Sequence, residues 1–311
     1  MDKKCYFFID DVIWVFRDIT RKKPKSIFDN EFLKLLKEGH DKYGMKVQLN
    51  IFYRTDFFYG EDEFTLSDMT DAYKKEFEEA SDWLKFGFHS KQEFPDYPYA
   101  NADYETVKIN FDRTVAEVKR FAGDNSFSLA VVPHWLPISK EGVMALKDGG
   151  IKVMGCSVGV KTPYSGDPDT LPYGHAQRLM NNRKPETALF TRITPDKAIS
   201  RSIASYNHLT NEQADKVRFN FDAIYDEETG MYFKPMTNSP NINLNDEQAI
   251  VEGLTKNIES GAQYIAYATH EQYFYKDYFN YQPDFPQKLL TSARVCFENG
   301  YEYIFAGELI K

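Results

Sequence analysis

Phe7-Phe8-Ile9-Asp10-Asp11 is a short apolar run that ends in two adjacent carboxylates. An apolar run bounded by polar residues is typical of a strand that is buried on both faces. Acids at its end would lie at the carboxyl edge of a parallel sheet, where α/β folds place their chemistry. Neighbouring aspartates repel each other, and the repulsion is relieved when one binds a cation and the other works as a base. The alternative is a strand followed by an acidic, solvated turn.

Outward from this stretch, apolar β-type runs alternate with segments of helical periodicity. Such alternation predicts a parallel sheet with crossover helices. The basic cluster at 21–25 is expected to be a solvated loop. Strands are predicted at 4–12, 46–53, 84–88, 127–133, 151–156, 263–269 and 301–306, and helices at 29–43, 66–83, 103–121, 139–147, 246–260 and 284–299.

Regularity breaks at 161–195, which is rich in Pro, Gly, Asn and Asp and is expected to form a long loop over one face. Residues 220–235 predict a β-hairpin that turns at 228–230. No Ser- or Pro-rich linker separates two domains. We therefore expect one α/β barrel-like domain over 1–311, with an insertion at about 160–240 that contains the loop and the hairpin excursion.

Composition narrows the class of partner. The chain has 311 residues and a formal net charge of −9, which argues against nucleic acid as the main partner because phosphate binding needs clustered Lys and Arg. No apolar run is long enough to span a bilayer, so no membrane partner is expected. The chain runs from Met1 directly into a strand without a signal-peptide pattern, which predicts a cytoplasmic location. Oligomeric state does not follow from the sequence.

Polar residues stand directly after several predicted strands. In a parallel barrel these strand ends converge on one face, so residues distant in sequence become neighbours. An Asp and His set at such a face is typical of a divalent metal site with an open coordination position. A chance distribution of polar residues is the alternative. The residues in this position are Asp10 and Asp11, Arg54, His89, His134 and Trp135, and His270 and Glu271.

The order of these motifs resembles the polysaccharide deacetylase family, carbohydrate esterase family 4. That family has a distorted (β/α) barrel and a divalent metal, usually zinc. Its opening motif T-F-D-D-G corresponds to F-I-D-D-V here, and the resemblance implies Asp10 as general base and Asp11 as metal ligand. For this chain it implies a seven- or eight-stranded, mostly parallel barrel. The last motif corresponds to Ala268-Thr269-His270-Glu271, which implies His270 as the general acid.

The second motif of the family, H-S-x-x-H, corresponds to 89–93 here, so His89 matches and Glu93 replaces the second histidine. An Asp-His-Glu set can hold zinc but shifts the preference toward manganese or magnesium. His134 could instead supply the missing nitrogen. The chain also departs from the family pattern at Val12, where the family has Gly, and it lacks clear R-x-P-x-G and aspartate-tryptophan motifs.

The predicted function is a metal-dependent hydrolase that removes an acyl group, such as acetyl, from an amide or ester of a sugar or related small substrate. Arg54, Trp135 and Tyr273 are candidate substrate-binding residues. One alternative is a metal-free glycoside hydrolase that pairs Asp10 with Glu271 or Glu308. Another is a catalytically degenerate barrel that binds a glycan without turnover.

Overall fold

The architecture is known from a computed structural model, which describes residues 2–56, 63–95, 98–99, 102–136, 138–156, 216–227 and 229–310. Parallel strands alternate with helices, as the sequence predicted. Among the strand pairs of the described residues, only Ile224–Asp226 and Met231–Pro235 are antiparallel. The strands are β1 (Lys4–Val12), β2 (Val47–Phe52), β3 (Leu84–Ser90), β4 (Ala130–Val131), β5 (Val153–Cys156), β6 (Ile224–Asp226), β7 (Met231–Pro235), β8 (Tyr264–His270) and β9 (Glu302–Tyr303).

The helices begin and end close to several predicted limits. Asn30, Asp103, Ser139 and Asp246 cap four of them by accepting backbone N–H groups with their side chains. Among the described residues, none of the helices combines the length and the hydrophobicity that a bilayer span requires. The helices are α1 (Trp14–Lys22), α2 (Glu31–Tyr43), α3 (Lys74–Glu79), α4 (Tyr104–Ala122), α5 (Lys140–Asp148), α6 (Glu247–Glu259) and α7 (Phe285–Glu298).

The strands form two sheets. One has the order β3-β2-β1-β8, with β9 also paired to β1, and the other has the order β4-β5-β7-β6. The N–H of Ser128, just before β4, donates to the carbonyl of Phe86 on β3 at 2.7 Å. On the other side, the N–H of Asn238, after β7, donates to the carbonyl of Ala266 on β8 at 2.9 Å. These bonds give the two sheets a barrel-like arrangement.

Alternate residues of the strands face the interior between the sheets, because successive side chains of a strand point to opposite sides. Phe8 on β1 pairs with Ala268 on β8, and both belong to a small interior cluster. Their chain neighbours Ile9 and Tyr267 belong instead to the larger core under the helices. The interior face therefore carries the residues that lead up to Asp10 and His270 at the ends of these strands.

Several predicted elements differ from the structure. Helix α1 was not predicted, and it ends with Arg21 and Lys22 of the supposed loop. The helix predicted at 66–83 is instead a 3₁₀ turn at Leu66–Asp68, which begins with a capping box between Thr65 and Asp68, and the short α3. The strands predicted at 127–133 and 301–306 shorten to two residues each.

The predicted hairpin is present as the antiparallel pair β6–β7. It is not a separate excursion, because β7 also pairs in parallel with β5 and so belongs to the second sheet. The long loop predicted at 161–195 lies outside the described residues.

Candidate metal centre

A cavity of about 320 Å³ lies at the carboxyl ends of the strands. Arg54, a predicted substrate-binding residue, lines a small adjoining cavity, where its Nε donates to the carbonyl of Thr55 at 3.2 Å. The other predicted site residues line the main cavity: Asp10, Asp11, His89, Glu93, His134, Trp135, His270 and Tyr273.

Backbone irregularities bring Asp11 and His89 into this cavity. Ile9 lies opposite Leu49 but Val12 lies opposite Ile51, so β1 has one extra residue in this interval, a β-bulge. Asp11 lies within the bulge at φ 61°, in the left-handed region that non-glycine residues rarely adopt. Regular alternation would direct Asp10 and Asp11 to opposite faces, whereas both line the cavity.

His89 occupies a similar position on β3. The β2–β3 register advances by one residue from Ile51 to Phe52 but by two from Phe88 to Ser90, which leaves His89 as the extra residue. After His134 the backbone is left-handed at both Trp135 and Leu136, with φ 64° and 73°. Such conformations cost free energy and often mark functional sites.

Three buried side chains from three strand ends meet at one point. Oδ1 of Asp11 lies 3.2 Å from Nε2 of His89 and 3.3 Å from Nδ1 of His134. The two imidazole nitrogens are 3.0 Å apart. Zinc binds nitrogen and oxygen at about 2.0–2.2 Å, which places neighbouring ligands roughly 3.0–3.5 Å apart. The spacing of these three atoms therefore fits one divalent ion.

Hydrogen bonds on the far side of each imidazole determine its tautomer. Nδ1 of His89 lies 2.6 Å from the carbonyl of Val132, and Nε2 of His134 lies 2.9 Å from the carbonyl of Glu93. A carbonyl only accepts, so these nitrogens carry the protons. In neutral rings the opposite nitrogens are then lone pairs, and both face Asp11. This is the way metal-ligating histidines are usually oriented.

Nε2 of His89, Nδ1 of His134 and Oδ1 of Asp11 lie close together, yet in these tautomers none of them carries a hydrogen that could bond to the others. Oδ1 of Asp11 is buried and has no hydrogen-bond partner among the described residues. A buried carboxylate oxygen without a partner is costly. A divalent cation would satisfy all three atoms, so the chemistry of Asp11, His89 and His134 fits a metal ion.

The pKa values of Asp10 and Asp11 shift in opposite directions. Burial raises the pKa of Asp10, although His89 and His270 oppose this shift. Burial also acts to raise the pKa of Asp11, but the adjacent imidazoles of His134 and His89 outweigh it and hold the pKa well below its usual range. Asp11 is therefore the permanent anion, and Asp10 is the carboxylate that accepts a proton more readily.

The pKa values of His89 and His134 also shift in opposite directions. Burial acts to lower the pKa of His89, but the charges of Asp10 and Asp11 outweigh it and raise the pKa. Burial lowers the pKa of His134, and Asp11 offsets this only in part. A metal ligand must be the neutral ring, and His134 is held in that form.

A chain of buried amides supports Asp10. Nδ2 of Asn50 donates to Oδ1 of Asp10 at 2.7 Å. Nε2 of Gln48 donates to Oδ1 of Asn50 at 2.6 Å, and the Ser128 hydroxyl donates to Oε1 of Gln48 at 2.5 Å. The sequence analysis missed these residues. Their signal was present, since Gln48 and Asn50 are the polar residues at alternate positions of an otherwise apolar strand.

His270 is held from the side away from the other histidines. Its Nδ1 lies 3.0 Å from Oδ1 of Asn243, which also accepts the hydroxyl of Thr269 at 3.2 Å. Its Nε2 is 3.9 Å from Oδ2 of Asp11, and Nε2 of Gln272 donates to this same oxygen at 2.9 Å. No sequence pattern identified Asn243, which comes from the 3₁₀ turn at Ile242–Leu244.

Three glutamates were alternative candidates: Glu93 as a metal ligand, and Glu271 or Glu308 as the catalytic partner of Asp10. Glu93 lines the cavity, but its carbonyl is the group that bonds to His134. Glu271 is fully buried and binds backbone N–H groups at the start of α1. Glu308 lies 3.6 Å from Lys46 and does not line the cavity. The structure does not bring Glu271 or Glu308 to the cavity as partner of Asp10.

No protein-family model matches the chain, and no curated protein matches its sequence. Among solved structures, the chain is similar to a 4-alpha-glucanotransferase from Thermococcus litoralis, with a TM-score of 0.55 and 12% identity. The match covers 100% of this chain and 40% of that one, so this chain spans about two fifths of the length of that enzyme. At this identity the likeness concerns the fold alone.

The chain is also similar, at lower TM-scores, to solved structures of carbohydrate esterase family 4. A pseudoenzyme of that family from Bacillus anthracis matches with a TM-score of 0.44 and 9% identity, over 100% of this chain and 66% of that one. A Streptococcus mutans esterase of the family matches with a TM-score of 0.44 and 12% identity, over 98% and 86%.

Proposed function

We propose that this protein is a metal-dependent hydrolase that removes an acyl group from an amide or ester of a sugar or related small substrate. The observation that supports this proposal is the buried cluster of Asp11, His89 and His134, whose ligand atoms lie 3.0–3.3 Å apart. We place the cluster in one domain, a distorted, mostly parallel (β/α) barrel formed by the two sheets.

Asp11, His89 and His134 would hold the ion. Two imidazoles and one carboxylate with an open position are a ligand set of catalytic zinc, whereas magnesium and manganese favour more oxygen ligands. A zinc ion held there would supply positive charge that polarises a carbonyl and makes water more acidic. Glu93 would remain outside the ligand set and orient His134 through its carbonyl.

The proton transfers are assigned to Asp10 and His270. Asp10 takes a proton from the attacking water, because burial raises its pKa towards the range of an effective base. The water oxygen bonds to the acyl carbon, and the bond from this carbon to the leaving nitrogen or oxygen breaks. His270 gives the leaving atom its proton from Nε2, while Asn243 holds Nδ1. Asn50 keeps Asp10 oriented through a bond of 2.7 Å.

A polyhydroxy substrate is supported by polar atoms at the level of the metal centre. Oε1 of Gln272, Nδ2 of Asn243 and Oδ1 of Asn241 line the cavity and are buried without a hydrogen-bond partner in the described part of the chain. Buried amides of this kind can bind hydroxyl groups. Trp135 and Tyr273 would offer aromatic faces to a sugar ring, and Arg54 would contact the substrate from the adjoining cavity.

Metal analysis tests the centre. Wild-type protein loaded with zinc and dialysed is expected to retain one equivalent, and Asp11→Ala and His89→Ala to lose it. His40→Ala is the control, because His40 stacks on Trp83 at 4.6 Å between ring centroids, away from the cavity. Unchanged zinc content in both variants would show that Asp11 and His89 do not bind the metal. A protein that binds a glycan but no metal would point to the degenerate barrel.

Hydrolysis of small acetylated amines and esters tests the proton transfers. Asp10→Asn and His270→Ala are each expected to reduce kcat by about 100-fold or more while zinc remains bound. Chelation should abolish turnover. Activity that persists in chelator would instead favour a metal-free hydrolase.

A further inference from the structure

The floor of the cavity is apolar. Phe8 and Ala268 each lie two residues before a candidate catalytic side chain, Asp10 and His270, so they face the same side of their strands one layer deeper. Val132, after β4, and Met236, after β7, belong to the same buried cluster as Phe8 and Ala268. All four floor residues, Phe8, Val132, Met236 and Ala268, are buried and line the cavity.

Polar and apolar linings are separated by depth. The amides of Gln272 and Asn243 contact Asp11 and His270 and so lie at the level of the metal centre. The floor residues below present methyl, aromatic and sulfur surfaces. A hydroxylated group would lose its water there without gaining hydrogen bonds, which costs free energy. The deep part of the cavity is therefore suited to a hydrocarbon group.

The small side chain of Ala268 helps to keep this space open. Ala268 lies beside Phe8 on the neighbouring strand. One layer of a strand is about 6.6 Å deep, a distance that an extended chain of roughly five carbon atoms spans. At about 320 Å³ the cavity is at the lower end of the range of ligand pockets, about 300–1,000 Å³. An acetyl group alone would leave the floor unfilled.

We propose that the substrate carries an acyl chain longer than acetyl, of roughly four to six carbons, which lies against Phe8, Val132 and Ala268 below the metal centre. This inference rests on the proposed hydrolase. Water adds its oxygen to the acyl carbon, the carbon–nitrogen or carbon–oxygen bond breaks, and the departing atom takes the proton. The products are a short-chain carboxylic acid and a hydroxylated amine or alcohol.

Binding of the carboxylate product is the test that does not need turnover. Acetate, butyrate and hexanoate are titrated into the zinc-loaded protein by calorimetry. Affinity is expected to rise roughly threefold to fourfold per methylene, because this factor corresponds to the transfer free energy of one buried methylene. Ala268→Leu should remove this rise, because the larger side chain occupies the space of the longer acyl groups. Val132→Phe is a second variant that fills the same layer, and Ala116→Leu on the exposed face of α4 is the control.

Hydrolysis rates for N-acetyl, N-butyryl and N-hexanoyl glucosamine provide the second measurement. We expect kcat/KM to increase along the series in wild type and in Ala116→Leu, but not in Ala268→Leu. Equal affinity and equal rates for all chain lengths would overturn the acyl inference and leave the hydrolase in place. Affinity that rises with chain length, without cleavage of any substrate, would overturn the hydrolase but support the apolar binding site.

Discussion

The carboxylate of Glu271 accepts the backbone N–H of Trp14 at 2.8 Å, although 257 residues separate them. The same carboxylate accepts the N–H groups of Ile13 and Val15, both at 2.7 Å. These groups begin helix α1, and the side chain of Ile13 at its N-cap has no hydrogen-bond acceptor. Glu271 therefore caps the helix that follows Asp11, and it fixes the end of β8 to the loop of the metal centre.

Glu271→Gln should destabilise the protein. The amide NH₂ cannot accept a hydrogen bond, so at least one buried N–H of α1 loses its partner at a cost of about 1–3 kcal/mol. Burial raises the pKa of Glu271 to about 7, so unfolding by denaturant is measured at about pH 8.5, where the carboxylate is largely ionised. Glu302→Gln, on an exposed side chain, is the control. Equal stability of Glu271→Gln and wild type would show that the cap is dispensable.

The third metal ligand can be identified by comparing His134 with Glu93. We expect His134→Ala to weaken zinc binding by about 100-fold or more, since the loss of a ligand exceeds the 10–100-fold effect of an outer partner. Glu93→Gln should bind zinc nearly as wild type does, because it keeps the carbonyl that bonds to His134. Competition with a chelator measures both affinities. Similar losses of zinc affinity in the two variants would indicate that Glu93 is also a ligand.

Gly87→Ala should disturb the support of Asp10. A β-carbon at Gly87 would overlap with the side-chain amides of Gln48 and Asn50, which are buried and bonded to each other. Such overpacking typically costs about 1–3 kcal/mol. Chemical denaturation should show this loss, and kcat should fall while zinc content is unchanged. Wild-type stability together with wild-type kcat would mean that the amide chain adapts freely.

Stability should increase with pH because of Lys234. Burial lowers the pKa of Lys234 to about 7, against about 10.4 in the unfolded chain. Between these values the unfolded chain binds more protons, so the free energy of unfolding rises with pH, by at most about 5 kcal/mol from this residue. Lys234→Met should remove this part of the slope between pH 7 and about 10, whereas exposed Lys152→Met should keep it. Parallel curves for wild type and Lys234→Met would contradict the shift.

Local pattern was sufficient to predict the parallel α/β order and the polar strand ends. The apolar run before Asp10 and the run before His270 are each buried on both faces as strands, and strand polarity alone directs their ends to one edge. Sequence reasoning therefore identified side chains that line one cavity. It left open whether Glu93 or His134 completes a metal site, since their relative distances depend on two separate loops.

What lay beyond the sequence depends on contacts between distant segments. Helix α1 was missed because its cap is supplied by Glu271, at the other end of the chain. The β-bulges that direct Asp11 and His89 into the cavity arise from the register between strands, which no single strand encodes. The sequence alone determined which residues end the strands, because periodicity and polarity are local. Tertiary structure decided which of their atoms meet, because bulges, caps and tautomers are fixed only when the strands pack side by side.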